Sequence, residues 1–236
     1  MNIILFEKNI QSIPLSDDRA KHILQVLKLK EGDTFKMGII NESEGTARIE
    51  GISQSCISIS YSAESEPVLY PVTLLVAQVR PICMKRILRE AVSLGVEKII
   101  LTGSQTGEKS YLSSNLYTTG EYKEYLLDGA MQSAHAGIAD VVFTDNVKQA
   151  LEKAGKDEDT SYILLDNRDG AEPLSKSSVK SKAVIAIGPE RGWSDYERKL
   201  FYDAGYSSML LGSRVLRTET ACSAGVAVLL SRMDLL

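Results

Sequence analysis

Two stretches in the last third of the chain concentrate the residues that could do chemistry. Leu211-Gly212-Ser213-Arg214-Val215-Leu216-Arg217-Thr218-Glu219-Thr220-Ala221 crowds two arginines, a carboxylate and two threonines behind a short apolar run. A guanidinium placed there can oppose negative charge that develops on a reacting oxygen. A nearby carboxylate can take a proton or orient the cation, a task that Glu219 and Glu190 could each perform. Thr218 or Thr220 can cap the helix that follows. The second stretch, Ile187-Gly188-Pro189-Glu190-Arg191-Gly192-Trp193-Ser194, enters a helix through Ser194-Asp195-Tyr196-Glu197, the pattern of a capping box. Gly188 and Gly192 permit backbone conformations and close approaches that a side chain forbids, which suits a flat ligand read through backbone groups. Taken singly, a tight glycine turn and a solvated charged loop explain the two stretches as well. Their occurrence at neighbouring strand ends favours a site. Leu165-Asp166-Asn167-Arg168-Asp169-Gly170 is a third strand exit of similar character. None of these matches G-x-G-x-x-G or a Walker loop. His22 and His135, the only histidines, lack further ligands at fixed spacing, so no metal is expected.

These loops need a frame to hold them. From Val72 onward the pattern alternates between apolar runs and helix-period segments. Strands are expected at Val72–Ala77, Val96–Leu101, Val141–Thr144, Tyr162–Asp166, Ala183–Ile187 and Ser208–Leu211. Helices are expected from Met84 to Gly95, Leu116 to Ala134, Val147 to Ala154, Asp195 to Ala204 and Thr218 to Arg232. Such alternation means a mainly parallel sheet, and ligands of such sheets bind at the carboxyl ends of the strands. Residues 1 to about 70 read instead as a small β module. It has strands at Ile3–Phe6, Thr34–Ile40, Thr46–Gln54 and Ile57–Tyr61, and a helix at Ser16–Leu27. The polar Ser62–Pro67 stretch predicts the boundary.

A net charge of −4 excludes a protein that coats nucleic acid by bulk attraction. It leaves room for a local basic track, for which Arg80, Lys85, Arg86 and Arg89, with Lys28 and Lys30, are the candidates; the solvated face of an amphipathic helix explains each of them equally. Three widely spaced cysteines, Cys56, Cys83 and Cys222, read as reduced thiols. The apolar run Ala221–Leu230 is about half of what a membrane span requires, and the start of the chain lacks a signal-peptide pattern, so a cytoplasmic location is expected.

The loops also carry a resemblance. Ile187–Ser194 is similar to the I-G-P-E-G-G-(F/L)-(S/T) motif of the ribosomal small-subunit RNA uridine-N3 methyltransferases (the RsmE type), members of the SPOUT superfamily. Leu211–Ala221 resembles their L-G-x-R-I-L-R-T-E-T-A motif, and His22–Asp33 resembles their H-x3-V-L-R-x3-G-D stretch. Met84-Lys85-Arg86 with Glu90 and Leu94-Gly95-Val96 is similar to the family's basic helix, and Met131-Gln132-Ser133 to its E-Q-S. Arg191 and Trp193 depart from the glycine and the Phe or Leu usual there, and Lys28 stands in place of Arg. Thr106-Gly107-Glu108-Lys109 loosely matches an E-R-S region, and Ala134–Gly137 lacks the arginines that normally follow E-Q-S.

The resemblance implies an α/β fold: a SPOUT-like C-terminal domain, a parallel sheet with a trefoil knot, over residues 71–236, preceded by a PUA-like RNA-binding β-barrel over residues 1–70. It implies S-adenosylmethionine-dependent methylation of ring N3 of a uridine in small-subunit (16S) ribosomal RNA. The implied partners are ribosomal RNA or the small ribosomal subunit and a second copy in a homodimer. Expected cofactor contacts are Leu165, Ile187, Gly188, Pro189, Glu190, Gly192, Leu211, Gly212, Leu216, Thr218 and Thr220, with Arg217 and Glu219 as catalytic residues. RNA contacts are expected from His22, Lys28, Lys30, Lys85, Arg86, Arg89 and Gln132. A non-catalytic RNA-binding or ribosome-assembly factor, or a methyltransferase of another RNA such as transfer RNA, are the competing readings. Small residues on the last helix, Ala221, Ala224 and Gly225, suit either a helix interface or an internal core.

Overall fold

Alternating apolar and polar residues build the first compact unit. The computed structural model describes residues 2–168 and 171–236. Five strands, β1 (Ile4–Phe6), β2 (Ser12–Pro14), β3 (Thr34–Ile39), β4 (Ser43–Ile52) and β5 (Cys56–Ser65), form a sheet in the order β1-β3-β4-β5-β2. Only the β1–β3 pair is parallel. Ile57 and Ile59 are buried while Ser58 and Ser60 are exposed, as a period-two strand with one wet face requires. The inward side chains meet in a core of Phe6, Ile13, Ile23, Met37, Ile49 and Ile57. The expected Ser16–Leu27 helix is shorter and irregular. It comprises α1 (Asp18–Lys21), capped by Asp17, and a π-helical turn over His22–Val26 that ends at Lys28, whose φ is 56°.

Two corrections concern the boundary. Ser62–Ser65, the first part of the stretch expected at the boundary, belong to β5, and the division falls just after it, between Val68 and Leu69. The first unit, Met1–Val68, also takes in Ala130–Ile138, which the expected division at residue 70 did not foresee. Side chains hold that segment: Glu44 accepts from Ala136 N at 2.6 Å, and Asn41 accepts from Ile138 N at 2.7 Å.

From Tyr70 the chain runs β6 (Tyr70–Ala77), α2 (Pro81–Ser93), β7 (Val96–Thr102), a 3₁₀ turn (Lys109–Ser113), α3 (Asn115–Thr118) and α4 (Tyr122–Ser133). It continues through β8 (Asp140–Thr144), α5 (Val147–Ala154), β9 (Thr160–Leu165), β10 (Glu172–Pro173) and a 3₁₀ turn (Leu174–Lys176). The last elements are β11 (Lys182–Ile187), α6 (Asp195–Asp203), β12 (Ser207–Leu210) and α7 (Thr218–Arg232). Where one helix was expected from Leu116 to Ala134 there are two, because Gly120 takes a left-handed φ of 80° between them.

The second unit, Leu69–Gly129 with Ala139–Leu236, is built on a parallel seven-stranded sheet in the order β10-β12-β9-β11-β6-β7-β8. Its central strands are buried on both faces, which is why Val72–Ala77 and Ala183–Ile187 read as unbroken apolar runs. Trp193 and Phe201 pack with Leu75, Ile100, Leu164 and Val184 to fill one core. Parallel pairing sends the turns after β6, β9, β11 and β12 to one edge of the sheet. Among the described residues, no helix is long and apolar enough to cross a membrane.

Candidate active site

Strand register brings the three C-terminal turns together. Leu165, the last residue of β9, pairs with Ile187 of β11 and with Met209 of β12. Beyond that point, Asp166 N donates to Met209 O at 3.2 Å. Gly192 N closes the second turn onto Pro189 O at 2.8 Å, with Gly192 at a left-handed φ of 69°. The Thr218 hydroxyl donates to Gly188 O at 3.3 Å and ties the third turn to the second.

Together the turns enclose a cleft of about 950 Å³. Leu165, Ile187, Gly188, Pro189, Glu190, Gly192, Leu211, Leu216 and Thr218 line it, as do Arg217 and Glu219. Gly212 and Thr220 do not line it; both are exposed. Asp169 and Gly170 of the first turn lie outside the described residues. Neither threonine caps α7: Arg217 is the N-cap and makes no side-chain cap bond, because Thr218 is already in the first turn with its hydroxyl committed to Gly188. Ser194 does form the capping box of α6 with Glu197.

The site is highly charged. Arg198 grips Asp166 with Nε at 2.5 Å and a second nitrogen at 3.3 Å, and both residues line the cleft. This pair is mostly shielded from water, so it fixes the first turn against α6, and Asp166 raises the affinity of Arg198 for its proton. Arg214 and Arg217 are exposed and have no ion-pair partner among the described residues. Burial, then the neighbouring Glu219 and Glu190 carboxylates, push the Cys83 thiol upward. Arg80 and Cys83, at the start of α2, line the same cleft as both candidate proton acceptors. Trp193 is buried with its ring 4.9 Å from that of Phe201, and its Nε1 has no hydrogen-bond partner. A Cβ at Gly188 would come within 3.2 Å of that nitrogen. Gly225 settles the question of the last helix for its own position: a Cβ there would stand 2.6 Å from Leu165 Cδ1, so its smallness serves internal packing of α7 on the sheet.

Sequence reasoning missed a fourth wall. Thr106, Gly107, Glu108 and Tyr111 line the cleft from the segment after β7. Three hydrogen bonds anchor this segment: Gln105 N to Glu197 Oε1 at 2.7 Å, Ser194 Oγ to Gln105 Oε1 at 2.6 Å, and Thr106 Oγ1 to Gly192 O at 2.5 Å. Its only signal in the sequence is the loose match of Thr106–Lys109 to a family motif. Asp166, Asn167, Arg198 and Met209 were likewise not singled out as site residues.

Comparison with known proteins decides the family. A model described as an RNA methyltransferase domain matches residues 64–230, and one described as an RNA methyltransferase PUA domain matches residues 15–57. A ribosomal RNA small subunit methyltransferase E of Treponema pallidum is 35% identical over 98% of this chain and 91% of its own length. The chain belongs to this family of RNA methyltransferases. The ribosomal RNA small subunit methyltransferase E 1 of Borreliella burgdorferi is 31% identical over 99% of both chains. Among solved structures, the small subunit methyltransferase E of Neisseria gonorrhoeae bound to S-adenosyl methionine shares the fold, with a TM-score of 0.79 at 21% identity over 98% of this chain and 97% of that one.

In this methyltransferase the residues expected to touch RNA fall in three places. His22, Lys28 and Lys30 lie in the first unit, where the π-helical turn leaves Val26 and Lys28 exposed and His22 Nε2 buried without a partner. Gln132, also of the first unit, is exposed, and its carbonyl accepts from Asn2. On α2, two of the expected cations are already engaged. Lys85 pairs with Glu121 at 2.5 Å, and Arg89 lies 2.5 Å from Asp128; both face the Tyr125 ring. Lys85 and Arg89 thus fasten α2 to α4, while Arg86 is exposed and Arg80 lines the cleft.

Proposed function

We propose that the chain transfers a methyl group from S-adenosylmethionine to ring N3 of a uridine in small-subunit (16S) ribosomal RNA. The observation that carries this reading is the convergence of three strand-exit turns on one cleft in a chain of this family. The residues present fit the cofactor. Leu165, Ile187, Pro189, Leu211 and Leu216 offer apolar surface for an adenine ring, and Glu190 and Glu219 offer carboxylates to a sulfonium cation. Gly188 leaves the wall without a side chain at the start of the second turn, where a Cβ would crowd Trp193.

When bound, S-adenosylmethionine supplies a methyl group already activated for displacement. The chain's own work is alignment and charge control. Gly188–Gly192 and Leu211–Thr218 hold the donor side, a proximity effect. Arg217, exposed at the cleft and unpaired among the described residues, opposes the negative charge that collects on the ring carbonyl oxygens as N3 loses its proton. Glu219 or Glu190 accepts that proton; both carboxylates line the cleft, which supports either assignment.

The first unit, with Lys28 and Lys30, and the cations Arg80 and Arg86 serve as RNA contacts in this reading. Ribosomal RNA or the small subunit is the substrate, and the cytoplasm is the place of action. A homodimer belongs to the same proposal, supported by the incompletely buried Ala224, Ala227 and Val228 on α7. The strand order supports the trefoil knot, since β12 lies between β9 and β10, which are successive in the chain.

Labelled methyl transfer to ribosomal RNA, isolated small subunits and transfer RNA, followed by mapping of the modified base, tests the substrate. Calorimetry with S-adenosylmethionine tests the cofactor. Absence of binding at saturating cofactor would overturn the proposal, and methylation of transfer RNA alone would overturn its substrate. Light scattering of the purified chain tests the dimer.

A further inference from the structure

We propose that Tyr111 is the stacking platform for the base to be methylated, an inference that rests on the RNA methyl-transfer reading above. A base inside a helix cannot reach a donor held in a cleft, so it must be splayed out and loses its stacking neighbours. Proteins that receive unstacked bases replace the lost contacts with an aromatic face. Two aromatic side chains line the cleft among the described residues, Tyr111 and Trp193. Trp193 is only 2% exposed and is used by the core against Phe201, whereas Tyr111 is incompletely buried. Tyr111 is therefore the accessible ring.

Its mounting also suits the role. Tyr111 sits in the Lys109–Ser113 turn, five residues beyond Thr106, whose hydroxyl is bonded to Gly192 O of the second turn. Gln105 is bonded at both its backbone and its side chain to the capping box of α6. The ring is thus carried by a wall fastened to the loop that is assigned to the cofactor, and it contributes to the same cleft as Arg217 and Glu219. Stacking on one face and charge on another would hold a uracil ring by both its π surface and its carbonyl edge.

The test compares Tyr111→Phe and Tyr111→Leu in the full chain, with calorimetry of S-adenosylmethionine binding and steady-state methylation of small-subunit RNA at saturating cofactor. We expect Tyr111→Phe to retain near-wild-type kinetics. Tyr111→Leu should lower kcat/KM for RNA about 5- to 150-fold, the worth of one base–aromatic stack, mainly through KM, with cofactor affinity unchanged. Equal activity of Tyr111→Leu and wild type would overturn the inference. So would a matching loss of cofactor binding, or a loss in Tyr111→Phe as large as in Tyr111→Leu. Photocrosslinking of wild-type protein to RNA carrying 5-iodouridine at the methylated position needs no variant: a crosslink on Tyr111 supports the platform, and one found only elsewhere overturns it. Failure of the wild type to methylate any RNA would overturn the broader reading and this inference with it, whereas methylation that is unaffected by Tyr111→Leu would overturn this inference alone.

Discussion

The turn that leads into α7 and the outer face of α2 both carry clustered cations, yet the fold treats them differently. Arg214 and Arg217 stand exposed beside the cleft with no ion pair among the described residues. Lys85 and Arg89 are each matched to a carboxylate on or beside α4 and lie against Tyr125. A cation already paired and resting on a ring has less to offer a phosphate, because forming the new contact means breaking the old one. An unpaired cation keeps its charge for a substrate. The lesson is that a basic sequence patch predicts a nucleic-acid surface only after its internal partners are known.

The contrast can be broken most directly at Arg217. Arg217→Ala should lower methyl-transfer turnover by about 100-fold or more while leaving S-adenosylmethionine binding near wild type. Wild-type turnover in that variant would remove the charge-stabilising role. Arg198 sharpens the contrast from inside the cleft, since it is a site-lining arginine that the fold has paired. Arg198→Met leaves the shielded Asp166 carboxylate without its partner and should cost about 1–3 kcal/mol of stability in urea unfolding. A weakened cofactor affinity should accompany it, read by calorimetry.

Smaller effects are expected where the charges serve packing. Arg86→Ala should reduce the salt dependence of RNA binding by about one ion, whereas Lys85→Ala should leave that slope unchanged. Titrations of RNA affinity against salt concentration would separate the two, and an equal drop in both would dissolve the distinction. The smallest effect belongs to the first unit, where Arg19 is consumed by Asp17 at 2.6 Å and holds that carboxyl below its ordinary value of 3.8. A lowered carboxylate stabilises the fold above its unfolded value, and that contribution is lost as pH falls through the folded one. Asp17→Asn should therefore cost up to about 1 kcal/mol at neutral pH. The gap to wild type should narrow as pH falls below the unfolded value and through the lowered folded one, checked by denaturant unfolding at neutral and at acid pH.

Much was legible before the structure. Apolar runs located the strands of the parallel sheet because a strand buried on both faces has no polar positions to spare, as Val72–Ala77 shows. The capping box at Ser194 and the turns at Gly188 and Leu211 were readable because local hydrogen bonding sets them. Less legible were β2, three residues long, and the helix break at Gly120, where one glycine interrupts an otherwise helical pattern. The wall from Thr106 to Tyr111 carries no periodic signal at all, and its place depends on bonds to residues some ninety positions away.

The sequence by itself therefore determined the family, the alternation of strand and helix, and the three turns that carry polar chemistry, since each is encoded within a few neighbouring residues. Tertiary structure alone decided which of those residues share a cleft, which cations remain unpaired, and that Ala130–Ile138 packs with the first unit. These depend on contacts between positions far apart in the chain. Strand register and side-chain burial choose such contacts, and no local pattern records them.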